Sequence, residues 1–357
     1  MKKMSILFLS LLVLTIAVSG CTSRRSDPSS SPNDSSAVPD KNPFQGEDEM
    51  SVGVLGGIGH SPTNMNRDEN GQKLPFVYDG GEMIIPYQVS AAGKAKNVGF
   101  LVFVDGMAQP YKTDTASDYQ TMNVMHLEDD DKEYPFSIIF EPVTGKTGDT
   151  LSLMIVSVYA PDFMPDMENT SSYGMYHDTL AGEYEITFEA DAQSPDSAAL
   201  PKYRQLQNVK QYTEPVTQDY LDSLSIYSGM EDITLETLNK QVFAQQVFDG
   251  EGGLLSNFKV NDGGTLHVSF KIVGYPGARY RNTFYINHQA LSDGKNTSFE
   301  TTLTKGNVSV MEADIELSEL ENFNTFYVVS TLCNVQELWE DGRFLNKTAS
   351  VLLYKKQ

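Results

Sequence analysis

From residue 76 to the C-terminus the apolar residues come in short runs, each closed by Gly, Asp, Asn or Pro. Met83–Val89, Gly99–Val104, Tyr134–Glu141, Thr150–Tyr159 and Glu183–Phe188 have strand lengths and β-branched or aromatic content, some alternating and some continuous. A second series follows at Thr265–Val273, Arg281–Asn287, Val308–Leu317, Thr325–Cys333 and Ala349–Tyr354. Such punctuation leaves little room for long helices, and it predicts an all-β chain.

The two series read as copies. Asp79-Gly80-Gly81 lies against Asp262-Gly263-Gly264, an offset of 183 that also pairs Glu82–Ser90 with Thr265–Val273 and Leu101/Phe103 with Phe284/Ile286. The offset drifts to 175 for Asp149–Tyr159 against Asn324–Asn334 and to 166 for Tyr184–Ala190 against Ser350–Lys356. Drift in turns is what loop insertions in a duplicated domain produce. Six or seven short strands in about 100 residues suggest two antiparallel β-sandwiches that resemble immunoglobulin-like domains in architecture, without their Cys-Trp-Cys signature. The expected layout is a first sandwich over 51–190, a linker with local structure over 191–250, and a second sandwich over 251–357. Within the linker, Thr234 to Lys240 carries a capping Thr and one short helical stretch.

The N-terminus carries an address. Met1-Lys2-Lys3 is basic, and Ile6 to Val18 is an apolar run broken only by Ser10 and Thr15. It is too short for a bilayer span of about 20 residues and fits a signal-peptide core. Val18-Ser19-Gly20-Cys21 follows. This resembles the lipobox of bacterial lipoproteins, with Val where Leu is commoner. The resemblance implies cleavage after residue 20 and lipid on the Cys21 thiol. Buried acyl CH₂ groups contribute about 0.8 kcal/mol each, so several chains hold a protein stably. Residues 21–50 then form a Ser/Pro/Asp-rich segment too poor in apolar residues to offset its conformational entropy, a disordered tether reaching on the order of 30 Å.

The chain has 26 Lys+Arg against 48 Asp+Glu, a net charge of -22. Removing residues 1–20 takes away Lys2 and Lys3 and no acid, giving -22 minus 2, or -24. Such a body has no footprint for nucleic acid and is repelled by anionic headgroups, so the membrane is reached through the lipid alone. Cys333 is the one thiol left for the body, in an apolar strand-like run, and reads as buried and inert.

The sequence names few candidates for chemistry. Asn66-Arg-Asp68-Glu-Asn70-Gly71 opens like a calcium loop, but Val77 stands where an EF-hand needs its bidentate Glu, so a polar turn is the simpler expectation. Glu128 to Glu133 is an acidic run expected in a solvated loop. Val52–Gly59, Gly145-Lys146-Thr147 and Gly59-His60-Ser61 each lack the context of a phosphate loop or nucleophile elbow. The five histidines show no metal-ligand spacing. No cofactor is expected, with a non-EF calcium turn at Asn66, Asp68 and Asn70 as the alternative.

The aromatic residues of two long connections carry the most weight. Phe163, Tyr173 and Tyr176 lie in 160–181, and Trp339 and Phe344 occupy the matching connection 334–348. Exposed Trp and Tyr offer large contact area at low entropy cost, which suits a protein or glycan partner. The alternative is that the loops fold back and bury them. The expectation is a non-catalytic, lipid-anchored extracytoplasmic binding or adhesion module at the cell membrane. A glycan-active enzyme with carboxylates from separate strands and an accessory subunit of a membrane complex are the alternatives.

Overall fold

The computed structural model describes residues 57–93, 95–163, 177–193, 201–230, 232–250, 257–334 and 345–355. The signal peptide with Cys21 and the tether lie outside the described residues. No helix among the described residues is long and apolar enough to cross a membrane.

The first copy contains β1 (Ile58–Pro62), β2 (Phe76–Tyr78), β3 (Met83–Ala91), β4 (Asn97–Val104), β5 (Met107–Ala108), β6 (Tyr111–Thr113), β7 (Ala116–Gln120), β8 (Met122–His126), β9 (Tyr134–Phe140), β10 (Thr150–Tyr159) and β11 (Thr179–Phe188). Its two sheets run β1-β3-β9-β6-β7 and β2-β11-β10-β4-β5, with β8 also on β4. The strands β3, β4, β9, β10 and β11 stand where the apolar runs predict them. Alternation on β3 sends Ile85, Tyr87 and Val89 inward to meet Phe100, Phe136, Ile155 and Ile186 in a core between the sheets.

The second copy contains β13 (Val242–Phe248), β14 (Asn257–Val260), β15 (Thr265–Gly274), β16 (Arg279–Ile286), β17 (Gln289–Ser292), β18 (Phe299–Thr302), β19 (Asn307–Glu316), β20 (Phe323–Leu332), β21 (Leu345–Lys347) and β22 (Val351–Lys355). The order β13-β15-β19 repeats β1-β3-β9, and β14-β22-β20-β16-β17 repeats β2-β11-β10-β4-β5. Even the exception repeats: β2 runs parallel to β11, and β14 parallel to β22. Each copy is an all-β sandwich with immunoglobulin-like strand order. The second core is built on Phe248, Phe270, Phe284 and Phe326.

The ladders correct the alignment at several strands. Offset 183 holds for β3 and β15, where Met83 and Leu266 both face inward and pair with Phe140 and Ile315. From β4 to β16 it is 182, since Asn97 and Arg279 open these strands and Asp105-Gly106 and Asn287-His288 close them. One residue fewer in the preceding turn is the cause. Leu101 and Phe103 therefore correspond to Thr283 and Tyr285, not to Phe284 and Ile286, whose side chains point into the core. Leu153 pairs with Val104 and Phe326 with Ile286, so β10 and β20 differ by 173 instead of 175. Leu153 pairs with Tyr184 and Phe326 with Val351, so the last strands differ by 167 instead of 166.

The segment expected as linker is largely structured. Residues Arg204–Pro215 form β12, which pairs with β19 over most of its length and with β17 at Arg204 and Gln205. It takes the place beside β19 that β6 takes beside β9. An irregularity between Gln207 and Lys210, with Asn208 at φ 52, lets it cross from one layer to the other. Two helices follow where one short stretch was expected: α1 (Gln218–Ser228), capped by the Thr217 hydroxyl and ended by left-handed Gly229, and α2 (Leu235–Leu238), closed by the Thr234/Thr237 capping box. Leu221, Leu224 and Leu238 pack on Phe243, Val273, Val308 and Val310, covering part of the outer sheet face.

Candidate functional site

A third apolar cluster lies outside both cores. It joins Leu101, Phe103, Met154, Val156 and Val158 of the first copy to Tyr285, Ala290, Tyr327 and Val329 of the second. Phe103 and Tyr285 are equivalent positions, so the copies meet through the same sheet face. The Tyr285 and Tyr327 rings stack at 5.1 Å with an interplanar angle of 13°.

The hairpin turns make the contact reciprocal, as in an isologous dimer. Both need positive φ at their two central residues, as type I′ hairpins do: 48° and 75° at Asp105-Gly106, 48° and 62° at Asn287-His288. The first turn reaches the second sandwich. Arg281 Nη1 donates to Asp105 Oδ2 at 2.6 Å and also to the Asp105 carbonyl, while Thr331 Oγ1 donates to the Gly106 carbonyl at 3.0 Å. A side chain at Gly106 would place Cβ 2.5 Å from Thr331 Oγ1, so the close approach requires glycine. The second turn reaches the first sandwich. His288 Nε2 donates to the Pro161 carbonyl at 2.6 Å and Nδ1 accepts from Tyr327 Oη at 3.0 Å. A carbonyl only accepts, which fixes the tautomer.

Around His288 the bases of both long connections come together. Pro161 and Asp162 leave β10, with Asp162 Oδ2 accepting from Asn97 Nδ2 at 2.6 Å. His177 enters β11 fully buried, its ring 5.3 Å from that of His288. Leu345 and Lys347 return on β21 beside β20, and the Lys347 ammonium sits 4.6 Å over the Tyr327 ring while donating to Ser350 Oγ at 3.0 Å. Burial pulls His288 down to about 4 and His177 to about 2, with Lys347 lowering both. Lys347 falls to about 7, again through burial, with Asp178 opposing.

Tyr173, Tyr176, Trp339 and Phe344 lie in these connections but outside the described residues. Phe163 is described and half-buried at the end of the first base. The histidines passed over for want of ligand spacing prove to be the polar centre of the junction. One sequence signal pointed there: with offset 182, His288 occupies the turn position where the first copy has Gly106, an expensive exchange in a left-handed conformation.

The remaining candidates have local explanations. Asp68 Oδ1 accepts from the backbone N–H of Asn70 and Gln72 at 2.9 and 2.7 Å, and Leu74 N–H donates to the Asn66 carbonyl, so the Asn66, Asp68, Asn70 segment is a self-capped polar turn. The acidic run lies between β8 and β9, where Lys96 pairs with Asp130 and Lys132 with Asp129. His60 donates to the Leu180 carbonyl and accepts from Tyr87 Oη at 2.6 Å, and burial lowers its pKa, with the Leu180 bond opposing.

A charged network lies on the outer face of β12, β15 and β19. His267 Nδ1 is 2.8 Å from Asp314, which also accepts from Asn208 at 2.7 Å, and Tyr212 Oη donates to Glu312 at 2.8 Å. The Asn208 and His267 hydrogen bonds lower Asp314, the opposite of what a general acid needs. Among the described residues no group of three or more His, Cys, Asp and Glu is placed to hold a metal ion.

No protein-family model matches the chain, and no curated protein matches it in sequence. Solved structures similar to it include the Clostridium thermocellum CbhA fibronectin(III)-like modules, at 8% identity over 84% of this chain and 95% of that one, with a TM-score of 0.20. The Drosophila receptor protein tyrosine phosphatase DLAR Ig1-2 module is 12% identical over 85% of this chain and 99% of that one, with a TM-score of 0.19. A marsupial T cell receptor is 10% identical over 82% of this chain and 99% of that one, with a TM-score of 0.18.

Proposed function

We propose that the chain is a lipid-anchored extracytoplasmic binding module, non-catalytic, whose partner surface is made by the connections 160–181 and 334–348. The observation that carries this reading is the convergence of both connection bases on one junction, at Pro161, His177, His288 and Lys347. Aromatic residues on two connections whose described bases meet would act on one partner together, where separated loops would supply two weaker contacts. The lipobox resemblance at Val18 to Cys21 supports the anchor, and the tether supplies the distance from the membrane. The partner is a surface protein or a glycan, both of which favour aromatic anchors.

The test uses the purified full chain in detergent, applied to a glycan array and to whole cells. Combined Tyr173→Ala and Trp339→Ala should weaken whatever binding the parent shows by about tenfold or more, with the chemical-unfolding midpoint unchanged. Binding that survives both truncations at parental strength would place the contact surface elsewhere.

A further inference from the structure

We propose that the helices α1 and α2 form a docking face separate from the two aromatic connections, and that its occupant is a basic amphipathic helix of a partner protein.

The helix pair has no counterpart among the described residues of the first copy, which forms its sandwich without one. Its inward packing is done by Leu221, Leu224 and Leu238, which cover Phe243, Val273, Val308 and Val310. Ile226, Met230 and Leu235 take no part in that packing and are 75%, 38% and 53% exposed. A hydrogen bond from the Ile233 N–H to Ser225 Oγ at 3.2 Å folds the segment carrying Met230 and Leu235 back against the last turn of α1, where Ile226 lies. Exposed aliphatic side chains grouped in this way mark an interaction surface, whereas scattered single ones do not.

Leu235 also borders a groove. Leu235 and Leu238 of α2 form one bank, Thr304 and Lys305 in the turn before β19 form the other, and Val273 and Pro276 lie between them. The Tyr275 N–H donates to the Leu238 carbonyl at 2.6 Å and the Gly277 N–H to the Leu303 carbonyl at 2.8 Å, which fixes the spacing of the banks. At ≈ 90 Å³ the groove suits an anchoring side chain and is small for a free ligand, whose pockets run to about 300–1,000 Å³.

Charge selects the occupant. Between Lys210 and Lys240 the sequence has no Lys or Arg, while Asp219, Asp222, Glu231, Asp232 and Glu236 fall in that stretch. Asp219, Asp222 and Ile226 stand at i, i+3 and i+7, on one stripe of α1 turned away from the sheet. Glu236 pairs with Lys240 at 3.0 Å, and Asp222 accepts from the neutral Gln218 side chain. Lys305 is the one cation lining the groove, on the bank opposite the helices. Exposed aliphatic side chains set among carboxylates complement a helix whose Leu or Ile anchors are flanked by Lys or Arg. The same carboxylates repel an anionic bilayer.

The probe is a synthetic amphipathic helix of Leu and Lys carrying a diazirine, mixed with the full chain in phosphatidylcholine nanodiscs, with empty nanodiscs as the blank. Photoadducts should map to 218–240 and 303–306. Ile226→Ser combined with Leu235→Ser should weaken binding by about tenfold or more, with the chemical-unfolding midpoint unchanged because both side chains are exposed. Asp219→Asn combined with Asp222→Asn should weaken it at low salt and much less at high salt, which gives a second readout if the serine variant unfolds. Parental affinity in the serine variant, or equal binding of a peptide whose Leu residues are replaced by Ser, would overturn the proposal. Adducts centred on another acidic segment such as 128–133, or partition of the probe into the bilayer without adducts on the chain, would overturn it as well.

Discussion

Serine in place of Cys21 is expected to abolish incorporation of a clickable fatty-acid analogue and to move the mature protein out of the membrane fraction. The size of the effect comes from what replaces the lipid, which is nothing. Each acyl CH₂ withdrawn from water contributes about 0.8 kcal/mol, and several acyl chains together anchor a protein stably, whereas the serine form carries no acyl chain. Electrostatics gives no fallback, because the chain carries a net charge of -22, and the proposed cleavage after residue 20 would make it -22 minus 2, or -24, so anionic headgroups repel it. Labelling that persists in Cys21→Ser, or is absent from the parent, would defeat the proposed anchor. Retention of unlabelled serine form by an uncleaved leader is recognised by its larger mass.

The second large effect is in the second core. Phe284 is fully buried and meets Phe270, Phe299 and Phe326 edge-on, with ring centroids 6.0, 6.4 and 6.0 Å away. Phe284→Ala should cost about 3–5 kcal/mol, from lost transfer energy and the cavity left among rings that cannot all collapse inward. That is a large part of the roughly 5–15 kcal/mol that holds a typical domain folded. The loss should also reach the junction, because the next residue on β16, Tyr285, points the other way into the cluster shared with Phe103. Guanidinium unfolding read by far-ultraviolet dichroism gives the midpoint, and Ile226→Ala, at a residue 75% exposed, serves as the control with a shift within about 0.5 kcal/mol. A Phe284→Ala loss below that of the control would show that the ring does not pack where the structure puts it.

The contrast between these strands also shows how much could be read in advance. Alternation on β3 and continuous apolar runs on β4, β10 and β20 are both visible in the residues. A continuous run means that both faces are buried. For β4 the inner face meets the core at Val98, Phe100 and Val102, and the outer face meets the other copy at Leu101 and Phe103. The pattern therefore announced a junction, but not its partner. Register was harder. A one-residue difference in a turn reverses which side chains face the core, and only the strand starts and the closing turns at Asp105-Gly106 and Asn287-His288 distinguish an offset of 182 from 183.

The linker was misread for a different reason. Along β12 only Leu206 is buried, with Val209 half-buried, because one side of this strand faces solvent and its stability comes from backbone pairing with β19. Side-chain pattern carries little of that. Helix α1 was more legible than the expectation allowed: Thr217 and Gly229 bracket an 11-residue segment with Leu221 and Leu224 on one face. The candidate site divides the same way. The two aromatic connections are evident from composition, whereas the His288, His177 and Lys347 grouping is created by the pairing of two sandwiches from distant parts of the chain.

Site-specific photocrosslinking on intact cells tests the central claim most directly. A diazirine side chain at position 339 or 173 should give a discrete adduct, sensitive to competition by excess unlabelled protein, while the same group at Lys295, in the turn after β17, should give none. Adducts at 295 and none at 339 or 173 would contradict a binding surface built on the two connections.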